Sequence, residues 1–303
     1  MSLLLALVVL IVFFLLSAAL VVLVVGPLIL LQPMRRTKKW YEQFTSVLEP
    51  HDAGIPQEDV TLETSEGHLL RGWLVAQTKR KAKGTVIYLH GVGDCKTAGV
   101  QLSRLLFRRG FNVFLYDSRA HGESGGAYCT YGYYEKYDVS IAINYLLKRR
   151  EIRVGKLGVF GTSMGAAVAV QAAAIDDRIK AVVAEACFTD LRTIAVDYQR
   201  RIIKLPWHFL RNVALSRSQT IARFKAHEVS PLLDIQKLRI PVLFIHGTED
   251  QLINYEYSKK LYHHANEPKE IVLVPGANHT DVWEISGFAY ERKVISFFTQ
   301  HLR

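Results

Sequence analysis

The chain has 303 residues, half of them hydrophobic, and a formal net charge of +10. That length accommodates one large domain with an appendage, or two small domains, and supplies ample material for a core. The positive charge invites a nucleic-acid partner, but there is no zinc-finger spacing, no RNA-binding aromatic signature and no basic tail. A membrane surface is the better match.

Three cysteines, Cys95, Cys129 and Cys187, are widely separated and form no CxxC or other metal-ligand pattern. An odd, sparse set fits a reducing compartment. Neither a metal nor a cofactor is expected from these patterns.

Residues 3–31 are an almost unbroken run of Leu, Val, Ile, Phe and Ala, interrupted by Ser17 and by Gly26-Pro27. About 20 such residues cross a hydrocarbon core of about 30 Å. A cleaved signal peptide competes with this reading, but no Lys or Arg precedes the run, which exceeds an h-region of about 7–15 residues. An uncleaved anchor over 1–34 is expected. Arg35, Arg36, Lys38 and Lys39 follow at once, and the positive-inside bias assigns that side to the cytoplasm. Trp40 and Tyr41 are expected at the membrane interface, and residues 35–59 read as a basic, amphipathic connector.

Residues 60–64 and 69–75 alternate apolar and polar around Ser65-Glu66-Gly67-His68, which predicts an antiparallel hairpin. The basic run at 79–83 reads as a solvated loop. From residue 84 short apolar runs alternate with helical patterns. Strands are expected at 85–89, 113–116, 157–160, 181–184, 242–245 and 270–274. Helices are expected at 98–109, 134–149, 166–174, 255–263 and 287–300. Such alternation implies a mostly parallel sheet covered by helices on both faces, with the ligand site at the carboxyl ends of its strands.

The polar motifs fall at those ends. Tyr88-Leu89-His90-Gly91-Val92-Gly93-Asp94 closes the first parallel strand, and its glycines let backbone approach a ligand. His90 there is expected to be structural. In Asp117-Ser118-Arg119-Ala120-His121-Gly122-Glu123-Ser124, Asp117 and Arg119 are expected to brace the loop by pairing, and His121 to hold its shape.

Gly161-Thr162-Ser163-Met164-Gly165 follows an apolar run and leads into an alanine-rich one, so it reads as strand, tight turn and helix. This is the pattern of a nucleophile elbow, which exposes Ser163 at a helix N-terminus. The backbone N–H groups of Val92 and Met164 are the expected oxyanion donors. Asp250, in Gly247-Thr248-Glu249-Asp250, and His279, in Asn278-His279, close two later strands. The order Ser163, Asp250, His279 is that of a serine, acid and base on an elbow fold.

Residues 188–238 interrupt the rhythm and read as a helical insertion. Between Tyr198 and Lys225 lie Arg200, Arg201, Lys204, Arg211, Arg217, Arg223 and Lys225, with no acidic residue and with Ile202, Ile203, Leu205, Trp207, Phe209 and Leu210 interleaved. Two readings stay open: a lid that rests on an anionic membrane, or a solvated charged face over a local core.

Through His90-Gly91, the loop from Asp117 to Ser124, the Ser163 pentapeptide, the Asp250 turn and Asn278-His279, the segment 60–303 resembles the α/β-hydrolase superfamily. The 117–124 loop is most similar to its monoacylglycerol-lipase-like and depalmitoylase-like branches, and to membrane-tethered bacterial hydrolases. The resemblance implies a cofactor-free serine hydrolase of esters, thioesters or amides, acting on a small-molecule or lipid-like acyl substrate. A peptidase or amidase on the same scaffold, or a catalytically idle membrane-tethered binding domain, are the alternatives. The resemblance also makes Glu185, which follows an earlier strand, a weaker rival acid. No nucleic-acid partner is expected, and nothing in the sequence assigns an oligomeric state.

Overall fold

Apolar runs that must be buried on both faces require a sheet sandwiched between helices. The computed structural model describes residues 3–78, 81–199 and 208–303, with side chains from residue 210 in the last range. Its strands are β1 (Glu58–Glu63), β2 (Leu69–Val75), β3 (Thr85–Leu89), β4 (Asn112–Tyr116), β5 (Leu157–Thr162), β6 (Ile179–Glu185), β7 (Val242–Gly247) and β8 (Lys269–Val274). Together they form one sheet in the order β1-β2-β4-β3-β5-β6-β7-β8. The expected hairpin is β1–β2, in antiparallel register from Glu58 opposite Leu74 to Glu63 opposite Leu69. β2 also runs antiparallel to β4, and every later pairing is parallel.

The helices are α1 (Leu3–Leu20), α2 (Gly26–Leu31), α3 (Lys38–Tyr41), α4 (Val100–Arg108), α5 (Glu135–Lys148), α6 (Met164–Ala173), α7 (Leu191–Tyr198), α8 (His208–Ala222), α9 (Pro231–Ile235), α10 (Glu256–His264), α11 (Val282–Ser286) and α12 (Phe288–Leu302). The period-two alternation of the strands divides the core into two layers. Ile87 and Leu89 of β3 join Phe114, Val159 and the wholly buried α6 on one face. Val86 and Tyr88 join Leu115, Phe160 and Phe298 of α12 on the other.

The 188–238 insertion is helical in its described parts, α7, α8 and α9. Arg200, Arg201, Ile202, Ile203, Lys204, Leu205 and Trp207 lie outside the described residues. Of the remaining basic positions, Arg217, Arg223 and Lys225 are exposed, whereas Arg211 is half-buried and donates to Gln199 Oε1.

α1, a π-helical stretch at Val21–Val25 and α2 form one apolar rod, Leu3–Leu31, holding an 18-residue window of mean hydropathy 3.4. Most of its side chains up to Val25 are exposed. The end of the rod behaves differently. Pro27 and Leu31 are buried, α2 and the π-helical stretch pack on α8, and the Leu30 and Leu31 carbonyls accept from Tyr131 Oη and Cys129 N at 2.8 and 2.7 Å. The last carbonyls of a helix have no partner within it, so here the body of the protein caps the rod.

The segment after the rod is tied down rather than loose. Arg35 donates to the carbonyls of Ser124 and Gly126, Arg36 N donates to Gly93 O, and Ala53 and Ile55 are buried in the core. Tyr41, expected as a membrane-interface anchor, instead turns its hydroxyl onto Asp94, because a phenol close to a carboxylate acceptor binds it in preference to water.

Asp117 and Arg119 brace the loop, but not through each other. Asp117 takes the Lys96 ammonium at 2.8 Å and the backbone N–H of Lys96 and of Glu123. Arg119 makes a fork to both carboxylate oxygens of Asp138 on α5, at 2.8 and 2.7 Å. Both Arg119 and Asp138 are buried, so removing one partner strands the other charge. Asp138→Ala in the full-length chain is expected to lower stability by about 3–5 kcal/mol, read as a shift in denaturant midpoint in detergent. A midpoint close to wild type would show that the loop does not depend on this pair.

Candidate active site

The site is built where β5 turns into α6. Ser163 has φ +54° and ψ −117°, a conformation that costs a non-glycine residue of order 1–3 kcal/mol. Its neighbours hold it there. A Cβ on Gly161 would lie 2.1 Å from Gly165 O, and one on Gly165 would lie 2.1 Å from Leu89 O, so neither position tolerates a side chain. Ser163 N donates to Glu185 O at 2.8 Å, tying the turn to the end of β6.

From this turn Ser163 Oγ reaches His279 Nε2 at 3.1 Å, and His279 Nδ1 reaches Asp250 Oδ2 at 2.6 Å. Nδ1 donates to the carboxylate, which leaves Nε2 free to accept the serine proton. Asp250 is packed with donors. Its Oδ1 accepts the N–H groups of Leu252 and Ile253, both at 2.8 Å, and its Oδ2 also takes His246 Nε2 at 3.1 Å. Burial alone would raise this carboxyl, but the hydrogen bonds from His246 and His279 outweigh it and hold Asp250 well below the usual carboxylate range.

Two strand ends position this chain of groups. The turn after β7 and the loop after β8 are pinned together by Glu249 N donating to Ala277 O, and by Asn278 Oδ1 accepting from Gln251 N and from His279 N. Asp281 Oδ1 in turn accepts Asn278 N at 2.6 Å. The acid and the histidine are therefore held by one small network rather than by two independent loops.

The expected oxyanion donors lie on the same side. Met164 is the first residue of α6, so its N–H has no acceptor within the helix. Val92 lines the same cleft as Ser163 and Met164. His90 holds the loop that carries Val92, its Nε2 accepting Ser118 N at 2.9 Å and its Nδ1 donating to Gly91 O at 2.8 Å. His121 Nδ1 donates to Arg119 O, and burial, with His90 beside it, pushes its pKa down to about 3. Both histidines hold backbone and stand away from the serine hydrogen-bond chain.

His279 Nδ1 pairs with Asp250 and not with Glu185, the rival acid. Its carboxylate accepts the Tyr290 hydroxyl, and its main-chain oxygen, not its side chain, meets Ser163. Sequence reasoning gave no role to His246, which is fully buried between Ser258 Oγ, Asp250 and Ile253 O. The four-residue spacing to Asp250 across a turn was the available signal. It also missed the cleft beyond Ser163, lined by Leu30, Tyr131, Phe188, Leu191, Ile194 and Tyr198, because these come from distant parts of the chain. Among the described residues no group of three or more His, Cys, Asp or Glu is placed to hold a metal ion.

A hydroxyl with a proton acceptor, an oriented imidazole and two backbone donors beside it is the set that acyl transfer by serine requires. The model of the family described as serine aminopeptidase, S33, matches residues 80–232 and 230–285. YfhR of Escherichia coli K12 is 31% identical over 252 residues, 81% of each chain. The alpha/beta hydrolase domain-containing protein WAV2 of Arabidopsis thaliana is 24% identical over 84% of this chain and 82% of its own. Among solved structures, esterase PF2001 of Pyrococcus furiosus is similar with a TM-score of 0.70 at 26% identity, covering 84% of this chain and 94% of the esterase.

Glu185 generates a test of the buried site. Burial lifts its carboxyl from 4.5 to about 7, and the Tyr290 hydrogen bond and nearby His279 only partly offset that. Between these values the folded chain holds a proton that the unfolded chain releases. The associated stability is fully present below the unfolded value and is lost as pH rises through about 7, on the order of 3 kcal/mol in all. The melting temperature of the detergent-solubilised protein should fall from pH 5 to pH 8, and Glu185→Gln should flatten that fall. An unchanged slope in the variant would remove Glu185 as its cause.

Proposed function

Since the chain belongs to the serine aminopeptidase S33 family of the α/β-hydrolase superfamily and is a hydrolase, we propose that it is a membrane-anchored serine esterase or thioesterase. Ser163 attacks the acyl carbonyl while His279 takes its proton, and Asp250 orients the imidazole and stabilises it when charged. The N–H groups of Val92 and Met164 stabilise the oxyanion. The leaving group departs with the proton from His279, and water, activated by the same imidazole, cleaves the acyl-enzyme.

The observation that carries this reading is the unbroken hydrogen-bond chain Ser163–His279–Asp250 opening on an apolar cleft. The described lining of that cleft contains no carboxylate that could bind the charged amino terminus of a peptide, which favours an acyl chain over an aminopeptidase substrate. An idle binding domain has no use for a strained serine at φ +54°.

Membrane anchoring by Leu3–Leu31 rests on its length and apolarity, and on the capping of its last carbonyls by Tyr131 and Cys129. A signal peptide has no reason to be built into the mature body. The catalytic domain is assigned to the cytoplasmic side by Arg35, Arg36, Lys38 and Lys39, and the division into anchor, connector and a 60–303 domain with a 188–238 lid belongs to the same proposal.

A fluorophosphonate probe should label the full-length protein in detergent and fail on Ser163→Ala. Asp250→Asn should lower kcat toward an acetyl ester by on the order of 10⁴-fold. Glu185→Gln should leave it of the same order as wild type. Labelling that survives Ser163→Ala would overturn the nucleophile, and a large loss confined to Glu185→Gln would exchange the acids.

A further inference from the structure

A 29-residue rod rises about 44 Å, about 14 Å more than a hydrocarbon core of about 30 Å. The surplus is about nine residues, and α2, the last six, carries the buried side chains of the rod, Pro27 and Leu31. The π-helical stretch and α2 pack on α8, where a Cβ on Gly26 would touch the Ala214 Cβ at 3.5 Å. Leu31 is fully buried, and Leu30 lines the cleft that holds Ser163. The rod therefore ends at the wall of the site, about two and a half turns beyond the hydrocarbon.

The other walls of the cleft are apolar or aromatic, from Val92, Phe188, Leu191, Ile194 and Ala195. The cleft encloses about 10 Å³, close to the space of one water, so Leu30 stands where an acyl chain has to enter. Every charged head group is disfavoured in that lining.

Resting on the serine-hydrolase reading, we propose that the last turn of the membrane rod is a wall of the acyl pocket, with Leu30 limiting the chain length admitted. The substrate is an amphiphile bearing an acyl chain, taken from the bilayer in which the rod is embedded. The rod is thus a specificity element as well as a tether. An ester whose chain already lies in that bilayer has about two and a half helical turns to travel along the rod to Ser163.

The test uses the full-length chain in phospholipid nanodiscs. Acetyl and dodecanoyl nitrophenyl esters are compared by kcat/KM, and fluorophosphonate labelling of Ser163 reports an intact site in every variant. Leu30→Trp should lower the dodecanoyl-to-acetyl ratio by about tenfold or more, and Leu30→Ala should move the optimum to longer chains. Ile29→Trp, on the exposed side of the same turn, should keep the wild-type ratio. A hexadecanoyl ester placed in the same discs as the enzyme should turn over faster than one supplied in separate discs. Labelled variants of Leu30 with an unchanged ratio, or equal rates from the two disc populations, would overturn the inference while the hydrolase reading stands. A wild type that is folded but unlabelled would overturn both.

Discussion

The backbone at residue 163 is the constraint on which the other features depend. A serine at φ +54° survives only if its surroundings leave it no alternative, and Gly161 and Gly165 do so by bringing β5, α6 and the end of β3 into backbone contact. That closeness sets the rest of the sheet. β3 and β5 pair in parallel register through Leu89 and Gly161, which carries the Val92 turn to the same level as Met164. The Ser163 N–H bond to Glu185 O extends the same level to β6. A local strain is thereby stabilised by a long-range arrangement, and the helix N-terminus faces the space where negative charge would develop.

Around this fixed point the electrostatics divide two carboxylates. Asp250 receives hydrogen bonds from His246, His279, Leu252 N and Ile253 N and is held ionised, whereas Glu185, which accepts the Tyr290 hydroxyl, is lifted toward neutrality. Burial acts on both, so the difference comes from the donors. A buried anion beside an imidazole is useful because it supports a charged histidine, and a carboxyl inclined to neutrality cannot. The donor count, and not closeness in sequence, thus separates the proposed acid from its rival. His246 contributes by closing the side of Asp250 that faces the core, so that the carboxylate cannot rotate away from His279.

Most of this fold was legible because its signals are local. Runs such as Thr85 to Leu89 are strands by composition, and the elbow is written in five consecutive residues. The strand ends also identified Ser163, Asp250 and His279 as neighbours, since a parallel sheet brings its carboxyl ends to one edge. What could not be read depends on contacts between distant segments. Tyr131 and Leu30 are 101 positions apart, and nothing in either neighbourhood announces the bond between them. Arg119 and Asp117 looked like a pair by spacing, but the turn at Ala120, with φ +60°, sends them to Asp138 and Lys96. The sequence marks the connector only as basic and amphipathic, whereas the bonds that fix it, from Arg35, Arg36 and Tyr41, are made to loops read as parts of the site.

Deacylation and acyl binding make opposite demands on the same few ångströms. Water must reach the carbonyl carbon held at Ser163, yet it must be kept from the chain attached to it. The structure has a polar and an apolar side at that point. His279 is partly exposed and bordered by the Asn278 network, while the opposite wall is Leu30, Phe188, Leu191 and Ile194. A wall drawn from a membrane rod suits the apolar side, because a segment composed for hydrocarbon offers no hydrogen-bonding side chain that would draw water inward. Its last carbonyls are the exception, and those of Leu30 and Leu31 accept from Tyr131 and Cys129. On the proposed reading, the two hydrogen bonds that cap the rod also satisfy main-chain oxygens beside the cleft that would receive the acyl group.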